Sequence, residues 1–261
     1  MAHLTIRYSS AVIGKQTEAH VLVPDTGTPP FPVLYLLHGL SDDSTTWTRL
    51  TRLEAYAAQY PLIIAMPDGY RGFYTDHEQG PAFGRHIGEE FPALIERLLP
   101  AHPRLRSIGG LSMGGYGALR IGLESPGRFR SIHSHSGALG WGRNNQYTLA
   151  KKVFGRGPEF LAELRRAFGP RPDGTRHDLL ALAKAAKAAR KLPAIRLDCG
   201  TEDFLLETNR KFVAGLRDAG IPHHYSEHPG AHDWQYWDTH IQAALAFHAA
   251  ALLKPKPASQ S

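Results

Sequence analysis

A serine framed by glycines is the first feature with chemical meaning: Gly110-Leu111-Ser112-Met113-Gly114-Gly115-Tyr116-Gly117. A Gly-x-Ser-x-Gly frame forces a tight strand-to-helix turn that exposes the serine hydroxyl. Small residues at Gly110 and Gly114 are needed because the backbone folds sharply over the neighbouring strands. Gly115, Gly117 and Ala118 then let the following helix lie close. A phosphate loop does not fit, since no Gly-Lys-Ser/Thr follows. A glycine-rich turn that only packs a helix is the bland alternative.

A serine nucleophile needs a base, and a group to orient that base. With such a turn the chain order is Ser, then Asp or Glu, then His. Downstream, the apolar run Ala194–Asp198 ends in Cys199-Gly200-Thr201-Glu202-Asp203. The next run, His223–Glu227, ends in His228-Pro229-Gly230-Ala231-His232-Asp233-Trp234. Ser112, Asp203 and His232 are therefore the candidate catalytic residues. Glu202 competes with Asp203, because side-chain direction in a loop is not readable from sequence. Asp198 lies inside the strand and is a poorer candidate. An oxyanion needs backbone N–H donors. Met113, after the nucleophile, supplies one, and Leu40 in His38-Gly39-Leu40 the other, with Gly39 letting the backbone approach the substrate.

The chain has 15 histidines, so a lone one means little. His223, His224, His228 and His232 invite a zinc reading. However, His223 and His224 face opposite sides of a strand, and no known ligand spacing appears. No metal and no cofactor are expected.

The elements that position these residues are legible from apolar runs bounded by turns. Strands are predicted over Leu4–Tyr8, Ala19–Val23, Val33–Leu37, Leu62–Met66, Ser107–Leu111, Ser131–Ser136, Ala194–Asp198 and His223–Glu227. Helices are predicted over Thr46–Gln59, Gly88–Leu99, Gly114–Leu123, Asn209–Ala219 with Gly220 as its C-cap, and Ile241–Leu253. Alternating strands and helices mean an α/β fold, a mostly parallel eight-stranded sheet covered on both faces. Ligands then sit at the carboxyl ends of the strands, where the candidate residues lie. Thr148–Leu192 breaks the alternation and reads as a small helical cap inserted over those ends, with breaks at Gly155–Pro158 and Gly169–Gly174. Residues 1–261 read as a single domain, with a frayed tail at about 254–261.

The 261 residues are 42% hydrophobic and 21% charged, which excludes a disordered or collagen-like chain. One cysteine, Cys199, excludes an internal disulfide. No apolar stretch reaches the ~18 residues of a membrane span. The first residues read as a strand rather than a signal peptide, so a cytoplasmic protein is expected. The net charge of +6 raises nucleic acid as a partner. Yet Thr148–Leu192 holds 11 Lys+Arg against 4 Asp+Glu, and the rest 19 against 20. The basic segment is not interleaved with aromatics and carries no binding motif. It reads as a solvated helix face, so neither nucleic acid nor membrane is expected as a partner.

His38-Gly39-Leu40, Ser112 within Gly-Leu-Ser-Met-Gly-Gly-Tyr-Gly-Ala-Leu, and His232-Asp233-Trp234 together resemble the esterase D-like branch of the α/β-hydrolase superfamily. That branch includes tributyrin-type carboxylesterases, S-formylglutathione hydrolases, feruloyl esterases and mycolyltransferases. Gly72-Phe73-Tyr74-Thr75-Asp76 resembles its segment after the fourth strand. Cys199-Gly200-Thr201-Glu202-Asp203-Phe204 resembles its acid loop and favours Asp203. The matches run from Val33 to Trp237. Two departures matter. Ser41-Asp42-Asp43 stands where S-formylglutathione hydrolases carry a threonine and a cysteine, and Leu111 and Tyr116 stand where they tend to have flanking histidines. Both move the expectation toward tributyrin-type carboxylesterases.

The resemblance implies acyl transfer through a serine ester, with a small-molecule ester as substrate. Thioester and feruloyl substrates are the alternatives. Trp47, Phe73, Tyr74, Trp141 and Leu205 follow strand ends and are candidate pocket residues, with ordinary core packing the competing reading for each. A homo-oligomer is compatible, since relatives are often dimers or larger. A non-catalytic binding protein on the same scaffold is the reading from another class, and the intact Ser, Asp and His set argues against it.

Overall fold

Phe31–Leu37, Ile63–Pro67 and Ser131–His135 are buried at every residue. The first two therefore read as unbroken apolar runs rather than alternating ones, as strands covered on both faces do. Ser131–His135 is largely polar and bonds its side chains internally, Ser131 Oγ to Ser107 Oγ at 2.6 Å and His133 Nδ1 to His248 Nε2 at 2.6 Å. The computed structural model describes residues 1–154 and 157–253, so Gly155 and the tail expected at 254–261 lie outside the described residues. The strands are β1 (Ala2–Ser10), β2 (Lys15–Val23), β3 (Phe31–Leu37), β4 (Ile63–Pro67), β5 (Ala101–Leu111), β6 (Ser131–His135), β7 (Ala194–Gly200) and β8 (His224–His228). They form one eight-stranded sheet in the order β1-β2-β4-β3-β5-β6-β7-β8. β1 and β2 form an antiparallel hairpin, and β2 also pairs antiparallel with β4. Every pairing from β4 through β8 is parallel.

The helices are α1 (Thr46–Leu50), α2 (Leu53–Ala57), α3 (Phe83–Arg85), α4 (Phe91–Leu98), α5 (Met113–Glu124), α6 (Gln146–Phe154), α7 (Pro158–Phe168), α8 (Leu179–Ala188), α9 (Leu206–Asp218) and α10 (Trp234–Leu253). One apolar cluster joins Leu34, Leu36 and Ile64 to Trp47, Leu53, Trp237 and Ile241, so α1, α2 and α10 cover one face. Val33, Tyr35 and Leu37 point the other way, into a cluster with α4, α5 and α9. Among the described residues no helix is long and apolar enough to cross a membrane.

Several boundaries differ from the sequence reading, each for a tertiary reason. The helix expected over Thr46–Gln59 is two short ones. Thr51 between them is extended, and Asp238 of α10 takes the Arg52 N–H at 2.7 Å and its guanidinium at 2.7 Å. α10 starts at Trp234, ahead of the expected Ile241, with Tyr236 and Trp237 buried in its first turns. β5 starts six residues early, because Ala101 pairs with Phe31 across a register shift. Gly220 closes α9 at φ +60°, with the Ile221 N–H returning to the Leu216 carbonyl at 2.9 Å. The segment between β6 and β7 holds α6, α7 and α8, and α8 lies against α5 and α9.

The helix expected from Gly88 begins at Phe83 and passes through a π-helical turn, His86–Glu90, before α4. That turn presents Glu90 to the end of the β1–β2 hairpin. Its carboxylate accepts from Ser10 Oγ at 2.5 Å and from the Ala11 and Val12 N–H groups at 2.8 and 3.3 Å, and pairs with His86 Nδ1 at 2.8 Å. Burial raises the Glu90 pKa, but these bonds outweigh it and hold the carboxyl below its ordinary 4.5. A carboxylate depressed on folding contributes stability above its unfolded pKa and loses it as pH falls through the folded one. Glu90→Gln is therefore expected to cost about 1 kcal/mol at neutral pH. In thermal melts the gap to wild type should close on acidification below 4.5. A gap independent of pH would show that the Glu90 charge is not involved.

Candidate active site

The turn between β5 and α5 consists of one residue, Ser112, at φ 53° and ψ −115°. A residue with a Cβ in this region carries strain of about 1–3 kcal/mol and persists only where its surroundings over-determine it. Here the Ser112 N–H donates to the His135 carbonyl at 2.9 Å. The Ser112 carbonyl accepts from Tyr116 at 3.1 Å and Ala138 at 2.9 Å. The flanking glycines are required by close approach. A Cβ on Gly110 would stand 2.6 Å from the Leu37 carbonyl oxygen, and one on Gly114 2.5 Å from the same atom. Both contacts are with backbone, which cannot swing away.

His232 reaches this serine from the loop after β8. Its Nε2 lies 3.0 Å from Ser112 Oγ, and its Nδ1 lies 2.8 Å from Asp203 Oδ2. The other Asp203 oxygen accepts the Leu205 N–H at 2.7 Å. A carboxylate that accepts at Nδ1 keeps the proton there and leaves the Nε2 lone pair facing the serine hydroxyl. Trp237 packs edge-on to the His232 ring at 5.0 Å, and Phe204 lies against it at 4.4 Å. Glu202, the competitor, faces elsewhere. Its carboxylate accepts the Gly230 N–H at 2.5 Å, and its own N–H donates to the Gly230 carbonyl at 3.0 Å. Thr201 N–H adds a bond to the His228 carbonyl at 2.8 Å. Glu202 thus fastens the loop that carries His232 to the loop that carries Asp203.

The loop after β3 lies against the same serine: a Cβ on Gly39 would stand 3.7 Å from Ser112 Cβ. His38 organises this turn from a buried position. Its Nδ1 bonds the Gly39 carbonyl at 2.8 Å, its Nε2 accepts the Gly69 N–H at 2.9 Å, and its carbonyl accepts the Tyr74 hydroxyl at 3.1 Å. The Gly39 N–H is taken by Asp42 at 3.1 Å. Burial raises the Asp42 pKa by more than His38 and that N–H lower it. The turn is therefore tied on both sides of Leu40. Met113 opens α5, so its N–H has no carbonyl one helical turn back to accept it.

The five candidate pocket residues are all buried. The Trp47 indole donates to the Leu37 carbonyl at 3.1 Å, and Phe73 packs on Phe168 at 5.3 Å. Tyr74 supports the His38 carbonyl, and Leu205 supports Asp203. Trp141 differs, since it lines a cavity of about 240 Å³ with Leu149, Leu179 and Phe212, rimmed by Arg143 and Lys211. A more open concavity of about 460 Å³ lies beside the turn after β3, lined by Ser41, Asp42, Tyr70, Arg71, Glu163 and Arg166. The other C-terminal histidines have local roles. His223 Nδ1 bonds the Ile221 carbonyl, and His228 stacks on His240 at 4.4 Å. Among the described residues no three His, Cys, Asp or Glu groups are arranged to hold a metal. The fixing roles of His38, Asp42 and Glu202 were not visible in the sequence. The one available signal was position, since all three follow strand ends.

The Esterase family model matches residues 10–248. An acetyl esterase of Caldicellulosiruptor saccharolyticus is 31% identical over 268 residues, covering 94% of this chain and 97% of that one. The fluorophosphonate-binding serine hydrolase F of Staphylococcus aureus, solved with substrate bound, superposes with a TM-score of 0.84 at 28% identity, covering 95% of this chain and 98% of that one. The S-formylglutathione hydrolase of the same organism superposes at 0.82, also with 28% identity and the same coverage.

The serine turn can be tested apart from any reaction. Gly114→Ala sets a methyl group against two carbonyl oxygens, at 2.5 and 2.6 Å. Such overpacking is expected to cost about 1–3 kcal/mol, read as a lower midpoint in urea unfolding. A variant as stable as wild type would show that the turn can relax.

Proposed function

Because this chain belongs to the Esterase family and is a carboxylic ester hydrolase, we propose that it is a serine carboxylesterase for short-chain acyl esters, acting through Ser112, His232 and Asp203. The observation that carries this reading is the chain of contacts from Asp203 through His232 to Ser112, at 2.8 and 3.0 Å. His232 takes the hydroxyl proton as Ser112 Oγ attacks the ester carbonyl. Asp203 keeps the imidazole in the correct tautomer and stabilises the imidazolium that forms. The N–H groups of Leu40 and Met113 receive the oxyanion. His232 then protonates the leaving alcohol and activates water, which releases the acid from the acyl-enzyme.

In this reading the chain is a single domain, and the segment at about 148–192 is its cap. The cap supports short acyl chains. α8 turns Lys184 and Lys187 outward among alanines, and α7 exposes Glu159, Arg165 and Arg166. Among the described residues, none of the exposed large hydrophobic side chains, Leu4, Leu50, Leu98, Phe204 and Leu253, belongs to these two helices. Such a surface lacks the apolar face that adsorption to a lipid interface requires. The likeness to an acetyl esterase supports the same choice. Thioester hydrolysis is the second reading, favoured by the likeness to an S-formylglutathione hydrolase. Against it, Tyr116 beside the nucleophile is buried, with its hydroxyl on the His177 carbonyl at 2.9 Å.

Ser112→Ala is expected to lower kcat on p-nitrophenyl butyrate by about 10⁶, as loss of the nucleophile does in serine hydrolases, with an unchanged circular dichroism spectrum. Asp203→Asn should cost about 10⁴, and Glu202→Gln, which touches only the loop, far less. A variant of Ser112 that keeps a tenth of wild-type turnover would remove it as nucleophile.

Chain length is tested with butyrate and palmitate esters, each soluble and emulsified. Acyl groups of roughly two to six carbons are expected to give the higher kcat/KM, since the cap offers little apolar area. S-formylglutathione and feruloyl esters in the same screen decide between the readings. A rate jump above the solubility limit of palmitate would overturn the short-chain assignment.

A further inference from the structure

A second histidine–carboxylate pair lies beneath the first, and the acyl-transfer steps do not use it. His135 ends β6 and faces Asp198 of β7 in register. His135 Nδ1 bonds both carboxylate oxygens, at 2.8 and 2.9 Å, and both side chains are almost wholly buried. Burial raises the Asp198 pKa, but the charge and hydrogen bonds of His135, the charge of Arg196 and the Tyr236 hydroxyl outweigh it. The carboxyl therefore stays below the usual carboxylate range. A buried charge of this kind is costly unless paired, so its position needs a reason.

The reason lies in what the pair touches. The His135 carbonyl accepts the Ser112 N–H, and the Asp198 carbonyl accepts the Ser136 N–H at 2.8 Å. Ser136, itself at φ 48°, accepts the Trp237 indole N–H at 3.2 Å on its hydroxyl. Trp237 is the residue packed edge-on to the His232 ring. Asp198 Oδ1 also accepts the Tyr236 hydroxyl at 3.1 Å, and Tyr236 stands four residues beyond His232. One side of the pair thus holds the backbone of the serine turn, and the other holds the helix start behind the catalytic histidine.

We propose that His135 and Asp198, with Tyr236, are positioning residues that set the distance between Ser112 Oγ and His232 Nε2. Neither side chain of the pair touches the reacting atoms. They act through the His135 carbonyl on the serine turn and through Tyr236 and Trp237 on the histidine. Loss of the Tyr236 hydroxyl frees one side of this connection and leaves the ring in place. The His232 imidazole then samples positions in which Nε2 no longer meets Oγ. A misplacement of about 1 Å can cost on the order of a hundredfold in rate.

The inference rests on Ser112 being the nucleophile, and the experiment separates the two. Wild type, Tyr236→Phe, Asp198→Asn and the double variant are labelled with a fluorophosphonate probe, and the labelled peptide is identified by mass spectrometry. Turnover of p-nitrophenyl butyrate is then expressed per labelled site, with melting temperatures alongside. A merely structural role would lower the number of sites and leave turnover per site unchanged. The expected result is a label on Ser112, with kcat per site and labelling rate both down about tenfold in Tyr236→Phe and KM within about twofold. Asp198→Asn should lose more, and the double variant less than the product of the two, because the groups share one hydrogen bond. If Asp198→Asn does not fold, Tyr236→Phe decides alone. Unchanged kcat per site in Tyr236→Phe, or a change in KM only, overturns the inference with the nucleophile intact. Wild type unlabelled at Ser112 overturns the nucleophile, and the inference with it.

Discussion

Ser112 holds φ 53° and ψ −115°, a backbone conformation that a residue with a side chain keeps only under constraint from all sides. The constraint comes from the sheet. β5 lies between β3 and β6, and both neighbours run parallel to it. Their carboxyl ends therefore arrive at the same edge. The carbonyls of Leu37 and His38 press on the glycines of the turn, and the His135 carbonyl and Ala138 N–H engage Ser112 itself. The rest of the site follows from this arrangement. The strain turns the hydroxyl away from the sheet, toward the loops that follow β3, β7 and β8.

Those loops are held to one another as firmly as to the sheet. Glu202 and Gly230 exchange hydrogen bonds in both directions, and a Cβ on Gly200 would stand 2.1 Å from the Gly230 carbonyl oxygen. The loops of Asp203 and His232 are thus tied to each other through the backbone as well as through the two side chains. Asp203 is buried and accepts a backbone N–H as well as the imidazole, so its direction does not depend on the histidine alone. On the opposite side His38 and Asp42 fix the turn that carries Leu40. For the proposed acyl transfer, a site held in this way would need no reorganisation as charge develops on the substrate, which is the main electrostatic requirement of that reaction.

The basic segment between β6 and β7 is anchored by its charges rather than left free. Arg176 pairs with Asp76 and Glu124 of the body and Glu163 with Arg71, while Arg143 pairs with Asp173 and Asp178 within the segment itself. Lys187 Nζ donates to the Ala219 carbonyl at 2.7 Å, beyond the end of α9. Exposed pairs of this type contribute only about 0–1 kcal/mol each. Their effect lies in geometry: those of Arg176 and Glu163 register α7 and the stretch before α8 against the loop after β4 and against α5. The core contact beneath them is aromatic, with Phe168 against Phe73 and Tyr116.

Much of this was legible in the sequence. The central strands β3 and β4 follow from apolar runs between turns, because strands buried on both faces are mostly apolar, whereas β6 is buried although four of its five residues are serine or histidine. The serine turn follows from glycine spacing, and the order Ser, Asp, His from which strand ends remain downstream. Contacts between distant segments decided the rest. Thr46–Gln59 breaks because Asp238, far along the chain, takes the Arg52 N–H. The π-helical turn at His86–Glu90 serves the hairpin end at Ser10. Asp203 rather than Glu202 meets His232, although the two are adjacent and differ by one methylene, because the turn at Gly200 aims them in different directions. Asp198 looked a poor candidate inside its strand, yet it is paired with His135, a histidine that no local pattern marked and whose carbonyl accepts the Ser112 N–H. Sequence alone determined the elements and the residue types at their ends, since these follow from short-range periodicity and sterics. Tertiary structure alone decided which side chain faces which, since that depends on strands brought together from opposite ends of the chain.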